Sequence, residues 1–170
     1  MRYALALEYD GSGFLGWQKN LNGLTVQEAV EKALSFVANE PISVVCSGRT
    51  DARVSARCQI VHFDSEQPRD LRAWLLGTNS RLPESVRGLW IQAMPDDFHA
   101  RYSARARRYR YSLIVRSERP AINRQFFFLF WLPLQVELLH VAAWALIGEH
   151  GFIDFRTVHC QAKHPVRNMH

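Results

Sequence analysis

An α+β fold of two successive units is what this sequence of 170 residues predicts. Three observations carry the prediction. Period-two, β-branched segments alternate with segments of helical periodicity. The order strand, helix, strand, strand, helix, strand is complete by Met94. Beyond Pro95-Asp96-Asp97 the pattern begins again.

Residues 2–9 alternate apolar and mixed side chains and meet Asp10-Gly11-Ser12-Gly13, a strand running into a turn. Thr25, with Glu28 three residues on, forms a capping-box signature; Val26, Ala29, Val30, Ala33, Leu34 and Val37 then recur at helical spacing up to Asn39. Pro41 closes that helix. Short β-branched runs at 42–46 and 59–63 predict two strands around a polar, basic loop. A second helix is expected over 71–76, after Pro68, and a strand over 86–94, after Leu82-Pro83. This order describes a ferredoxin-like (RRM-like) unit over 1–95. In the second half, 96–170, a long strand over 104–115, an aromatic strand over 126–131 and a helix over 134–147 are expected, with one more strand starting at 152–155. No second helix or closing strand is assigned after it, so an incomplete second ferredoxin-like unit is expected.

The composition, 48% apolar and 22% charged, is that of a globular chain rather than a disordered one. No run reaches the roughly 18 apolar residues of a membrane span. The polar opening Met1-Arg2-Tyr3 is not a signal peptide, so the cytoplasm is expected. Cys46, Cys58 and Cys160 make a disulfide framework improbable. Cys58 with His62, or His159 with Cys160, could offer metal ligands, but neither has a second spaced pair, and no metal site is expected. The net charge of +5 favours a polyanionic partner. Of the 21 basic residues only Lys19, Lys32 and Lys163 are lysines. Arginine both forks onto phosphate and stacks on bases.

Two constellations carry chemistry. Gly48-Arg49-Thr50-Asp51 sets a carboxylate two residues from a guanidinium in a loop between strands. A neighbouring cation keeps a carboxylate ionised, as a nucleophile or general base requires; a surface ion pair or Asx-turn is the plainer alternative. From Arg101 to Tyr111, five arginines and three tyrosines fall within eleven residues. On a strand, Arg105, Arg107, Tyr109 and Tyr111 would share one face, with Arg108 and Arg110 on the other. Unpaired RNA bases stack on aromatic rings while phosphates recruit arginine; a charged edge guarding a sheet is the alternative. The segment 10–13 lacks the Lys-Ser/Thr of a phosphate loop and reads as a flexible turn bearing aromatics. Phe126-Phe127-Phe128 with Phe130 and Trp131 reads as a buried strand rather than a base-stacking platform.

In order and spacing, Glu8-Tyr9-Asp10-Gly11-Ser12, Gly16-Trp17-Gln18 and Gly48-Arg49-Thr50-Asp51-Ala52 resemble motifs of the tRNA pseudouridine synthase A family. So do Thr25-Val26-Gln27-Glu28, Val61-His62-Phe63, Asp96-Asp97-Phe98-His99-Ala100-Arg101, Arg107-Arg108-Tyr109-Arg110-Tyr111 and Pro165-Val166-Arg167-Asn168. The resemblance covers almost the whole chain. It implies isomerisation of uridine to pseudouridine in the anticodon arm of tRNA, no cofactor, and a homodimer. It further implies Asp51 as the catalytic residue, Arg49 as its partner and Tyr109 as the ring stacked on the target uracil. Arg101, Arg105 and Arg107 are the basic residues expected to bind the RNA.

The chain departs from the family pattern next to the catalytic aspartate. Arg53 stands in place of a glycine, Ser55 in place of a histidine and Cys58 in place of another glycine. A glycine at 53 would suit a positive-φ turn, where Arg53 would strain the loop or fill the pocket. Family chains also continue past the position of His170, so a C-terminally truncated member is expected, its second sheet open and part of 126–131 exposed. A degenerate RNA-binding relative without activity is the alternative these departures favour. An interaction module with no RNA role is the third reading.

Overall fold

The computed structural model describes residues 1–155 and 166–170. Two compact units divide the chain, Met1–Tyr109 and Arg110–His170. Both mix helices with strands.

In the first unit, β1 (Arg2–Tyr9), β2 (Val45–Cys46), β3 (Ala56–Asp64) and β4 (Val86–Met94) form one antiparallel sheet in the order β2-β3-β1-β4. Period two decides what the central strand buries: Tyr3, Leu5, Leu7 and Tyr9 join the core with Val26, Val30, Leu34 and Val37 of α1 (Val26–Ala38). Thr25 caps α1 by accepting from the Glu28 amide at 3.4 Å, and Asn39 ends it in the left-handed conformation at φ 54°. The second helix, α2 (Leu71–Arg81), is a turn longer than the expected 71–76. Asp70 caps it through the Ala73 amide at 2.7 Å, and its fully buried Trp74 packs against Tyr3 and Phe63 with ring centroids 5.6 and 5.2 Å away.

Strand β2 is shorter than the expected 42–46 because α1 takes the polar groups that a ladder would use. The Ile42 amide donates to Ser35 Oγ at 2.8 Å, and the Val44 amide to Glu31 Oε1 at 3.1 Å. Residues 96–109 belong to the same compact unit, which runs past residue 95 for identifiable reasons. The Arg2 guanidinium, paired with Asp64, also donates to the carbonyls of Asp96 at 2.7 Å and Phe98 at 2.8 Å. Buried His62 accepts the Ala100 amide on Nδ1 at 3.1 Å, and Arg107 donates to the Ser47 carbonyl.

Among the described residues the second unit holds two short ladders: β5 (Leu113–Val115) pairs in parallel with β6 (Phe128–Phe130), and β7 (Gly148–Gly151) pairs antiparallel with β8 (Val166–Met169). Helix α3 spans Val136–Trp144. The expected strand over 104–115 is corrected to its last three residues. Among the described residues this stretch pairs as a ladder only there, bounded by Phe128 N–H donating to the Ser112 carbonyl at 2.9 Å and Arg116 N–H donating to the Phe130 carbonyl at 3.2 Å. The proposed sharing of one strand face by Arg105, Arg107, Tyr109 and Tyr111 falls with it. The aromatic segment is likewise not buried: Phe128 is 51% and Trp131 74% exposed. A three-residue ladder covers little area, and no described residue of this unit is buried. Residues 153–155, expected to open a strand, form a single turn of 3₁₀ helix. His159, Cys160, Lys163 and Pro165 lie outside the described residues.

Candidate active site

The loop between β2 and β3 carries Arg49 and Asp51, both exposed. Its backbone is fastened on three sides. From the β1–α1 connection, Trp17 N–H donates to the Thr50 carbonyl at 2.9 Å and the Phe14 carbonyl accepts from Arg53 N–H at 3.2 Å. Gly11 N–H donates to Ser55 Oγ at 3.0 Å. The approach is close enough to demand glycine. A Cβ on Gly11 would meet the Val54 carbonyl oxygen at 2.1 Å, and one on Gly16, at φ +95°, the Thr50 carbonyl oxygen at 2.7 Å. The segment expected as a flexible turn is therefore a seated 3₁₀ turn, Gly11–Gly13, capped by Asp10 through Ser12 N–H at 2.9 Å, with Phe14 and Trp17 buried behind it.

From below, Gln59 accepts from Ser47 Oγ at 2.7 Å and from Gly48 N–H at 3.3 Å while its Nε2 donates to the Gly48 carbonyl. Beside it, the Tyr9 hydroxyl and Thr50 Oγ1 are 2.8 Å apart. Burial pushes the Tyr9 phenol up, and hydrogen bonding by Thr50 and Gln59 pulls it back. Above the loop, Arg107 donates to the Ser47 carbonyl from Nε at 3.2 Å and from Nη2. Within the loop, Val54 N–H closes a turn on the Asp51 carbonyl at 3.2 Å. Arg53 has φ 65°, in the left-handed region, so the position where the family pattern has glycine does require positive φ.

Arg107 is thus brought to the Arg49-Asp51 loop by the tertiary structure. Burial raises the Cys46 thiol, and the charge of Arg49 opposes that rise. The Arg101 guanidinium lies 5.8 Å from the Tyr102 ring centroid; Tyr102 stacks on His99 at 4.3 Å, and His99 lies 4.7 Å from His62. Arg105 is exposed, and Tyr109 is 78% exposed; no described contact joins either to Asp51. Sequence reasoning missed Tyr9, Thr50 and Gln59 as parts of the site. A signal was present for Tyr9, since a tyrosine on the core face at a strand end needs a partner for its hydroxyl. Among the described residues no group of three or more His, Cys, Asp or Glu is placed to hold a metal ion, and no helix is long and apolar enough to cross a membrane.

The family model for tRNA pseudouridine synthase matches residues 5–103, which include the fastened loop, the β1–α1 connection, Tyr9 and Gln59, and stop short of Arg107. The chain belongs to the tRNA pseudouridine synthase family. Among curated relatives, the tRNA pseudouridine synthase A of Stenotrophomonas maltophilia (strain K279a) is 55% identical over 99% of this chain. Those of Xanthomonas oryzae pv. oryzae (strain PXO99A) and Xanthomonas campestris pv. campestris (strain B100) are 53% and 54% identical over the same share. This tRNA pseudouridine synthase family member spans 66% of the length of each of those relatives.

Proposed function

We propose that this chain carries the catalytic half-site of a tRNA pseudouridine synthase that isomerises uridine to pseudouridine in the anticodon stem-loop. The observation that carries the proposal is the loop itself, which presents Arg49 and Asp51 to solvent on a backbone fastened by Trp17, Gln59 and Arg107. Held carboxylates suit a reaction in which geometry supplies much of the rate.

The reaction balances without oxidant, water or cofactor. The C1′–N1 bond of uridine breaks, the uracil turns in the pocket, a C1′–C5 bond forms, and the proton lost from C5 is balanced by one gained at N1. Asp51 is the catalytic carboxylate, acting on C1′ as a nucleophile or on a sugar proton as a base. Arg49 partners it and helps displace the base. Tyr109, already exposed, stacks on the target uracil, and Arg101, Arg105 and Arg107 bind phosphate. Extruding the base costs a few kcal/mol, offset by stacking worth about 1–3 kcal/mol per base.

The interleaved order β2-β3-β1-β4 supports a ferredoxin-like reading of the first unit, with a functional division near residue 95 and a partial second unit after it. A homodimer and a cytoplasmic setting belong to the same proposal. The test is to incubate the purified chain with an unmodified tRNA transcript and map pseudouridine at nucleotide resolution. Modification in the anticodon arm that is abolished by Asp51→Ala, with tRNA still bound, is the expected result. Salt-sensitive binding without modification by the unaltered chain would sink the enzymatic reading and leave an RNA-binding relative.

A further inference from the structure

Two polar side chains lie in the core directly beneath the loop, and the chemistry assigned to Asp51 and Arg49 does not use them. Tyr9 is 2% and Gln59 6% exposed. They stand on neighbouring central strands: Gln59 of β3 pairs with Leu7 of β1, and Tyr9 ends β1 opposite Ala56. Burying a hydroxyl and an amide is unfavourable unless their hydrogen bonds are made, so their partners tell what they are for.

Gln59 bonds both the amide and the carbonyl of Gly48 and also takes the Ser47 hydroxyl. This is the pairing a neighbouring strand would offer, supplied by a side chain at the point where β2 has already ended. Tyr9 meets Thr50 Oγ1 at 2.8 Å. Gly48 and Thr50 flank Arg49, and Thr50 directly precedes Asp51. The two buried groups therefore grip the chain on either side of the guanidinium and one residue before the carboxylate. The ring of Tyr9 is held independently, against Trp17 with centroids 6.1 Å apart, so its hydroxyl is aimed rather than free to turn away.

We propose that Tyr9 and Gln59 are positioning residues for Asp51 and Arg49, clamping the loop from the core side so that the two charged groups project in one fixed relation. The proposal rests on the catalytic assignment of Asp51 and Arg49 given above. A packing role alone would need neither the Tyr9 hydroxyl nor the two-way bonding of Gln59. It would be met as well by Phe and Leu.

The deciding variants are Tyr9→Phe, which keeps the ring and removes only the hydroxyl, and Thr50→Val, which removes the same bond from the exposed side. Two readouts are taken on the full chain. The first is hydrogen exchange at the loop amides of Gly48, Arg53 and Val54, which are hydrogen-bonded within the site. In both variants it rises by about tenfold while the amides of β1 and β3 keep their protection, as loss of one hydrogen bond from a locally opening segment predicts. The second is pseudouridine formation on an unmodified tRNA transcript. In each variant kcat falls between about 10- and 100-fold with KM for tRNA within about twofold, and the double variant is no worse than either single one. Loop exchange unchanged in both variants, or additive losses in the double variant, overturns the proposal. If the unaltered chain forms no pseudouridine, the catalytic reading above falls, and exchange in the two variants still decides whether Tyr9 and Thr50 clamp the loop.

Discussion

Arg107 closes over a residue that has no side chain: both its Nε and Nη2 donate to the Ser47 carbonyl, and a Cβ on Gly48 would lie 2.8 Å from Nε and 3.2 Å from Cδ. The absence of a side chain at 48 is what lets a guanidinium from sixty residues away reach the base of the loop.

Gly48→Ala should therefore displace Arg107 more than it disturbs the fold, because the atoms in the way belong to a flexible, exposed side chain. Stability should change by less than about 1 kcal/mol. On tRNA, kcat/KM should drop by roughly tenfold through loss of one charge-assisted contact. Urea melts and steady-state kinetics on the same preparation check both halves, and wild-type kcat/KM would refute the role given to Arg107.

Gly16 offers no such freedom. Its φ of +95° and the 2.7 Å approach of a Cβ to the Thr50 carbonyl set backbone against backbone, so Gly16→Ala should destabilise the first unit by about 1–3 kcal/mol. Gly13, with nothing within 4 Å, is the control. Gly13→Ala should stay within about 0.5 kcal/mol in the same urea titration. Equal midpoints for the two variants would contradict the packing described.

Arg53 holds φ 65° without being glycine or asparagine, a conformation that costs an L-residue roughly 1–2 kcal/mol. Arg53→Gly removes that cost and loses part of the gain to the greater backbone entropy of glycine in the unfolded chain. A rise in stability of up to about 1 kcal/mol is expected in thermal or urea unfolding. A fall would mean that the Arg53 side chain makes a stabilising contact outweighing the strain.

His62 links the first sheet to residues 96–103 by accepting the Ala100 amide on Nδ1, a bond that only the neutral ring can make. Its pKa lies below the ordinary 6.5, first through burial, then through the charges of Arg2 and His99, with Asp64 opposing. The unfolded chain then binds the proton more readily. Stability contributed by neutral His62 is present above pH 6.5, is lost as pH falls below it, and levels off beneath the folded pKa. Urea midpoints between pH 7.5 and 5 should decline in the native chain and decline less in His62→Asn, whose Oδ1 can accept the same amide without titrating. Parallel pH profiles would rule out this role for His62.

What the sequence by itself determined is the local pattern and the motif. Period two set β1, and the spacing from Thr25 to Asn39 set α1 with its N-terminal cap. Gly48-Arg49-Thr50-Asp51 was legible as a polar, charged loop between strands because charge, glycine and flanking β-branched residues are all neighbours along the chain. Tertiary structure decided the rest. Strand β2 stopped at two residues because α1 captured the Ile42 and Val44 amides, and the arginine-rich segment took no strand before Leu113 because no partner strand lies beside it among the described residues. Which of five arginines would reach the loop, and that Tyr9 and Gln59 would hold it from beneath, depended on contacts between residues eleven to sixty positions apart. Periodicity is a property of a dozen residues, whereas a hydrogen bond of that span exists only once the sheet has brought its ends together.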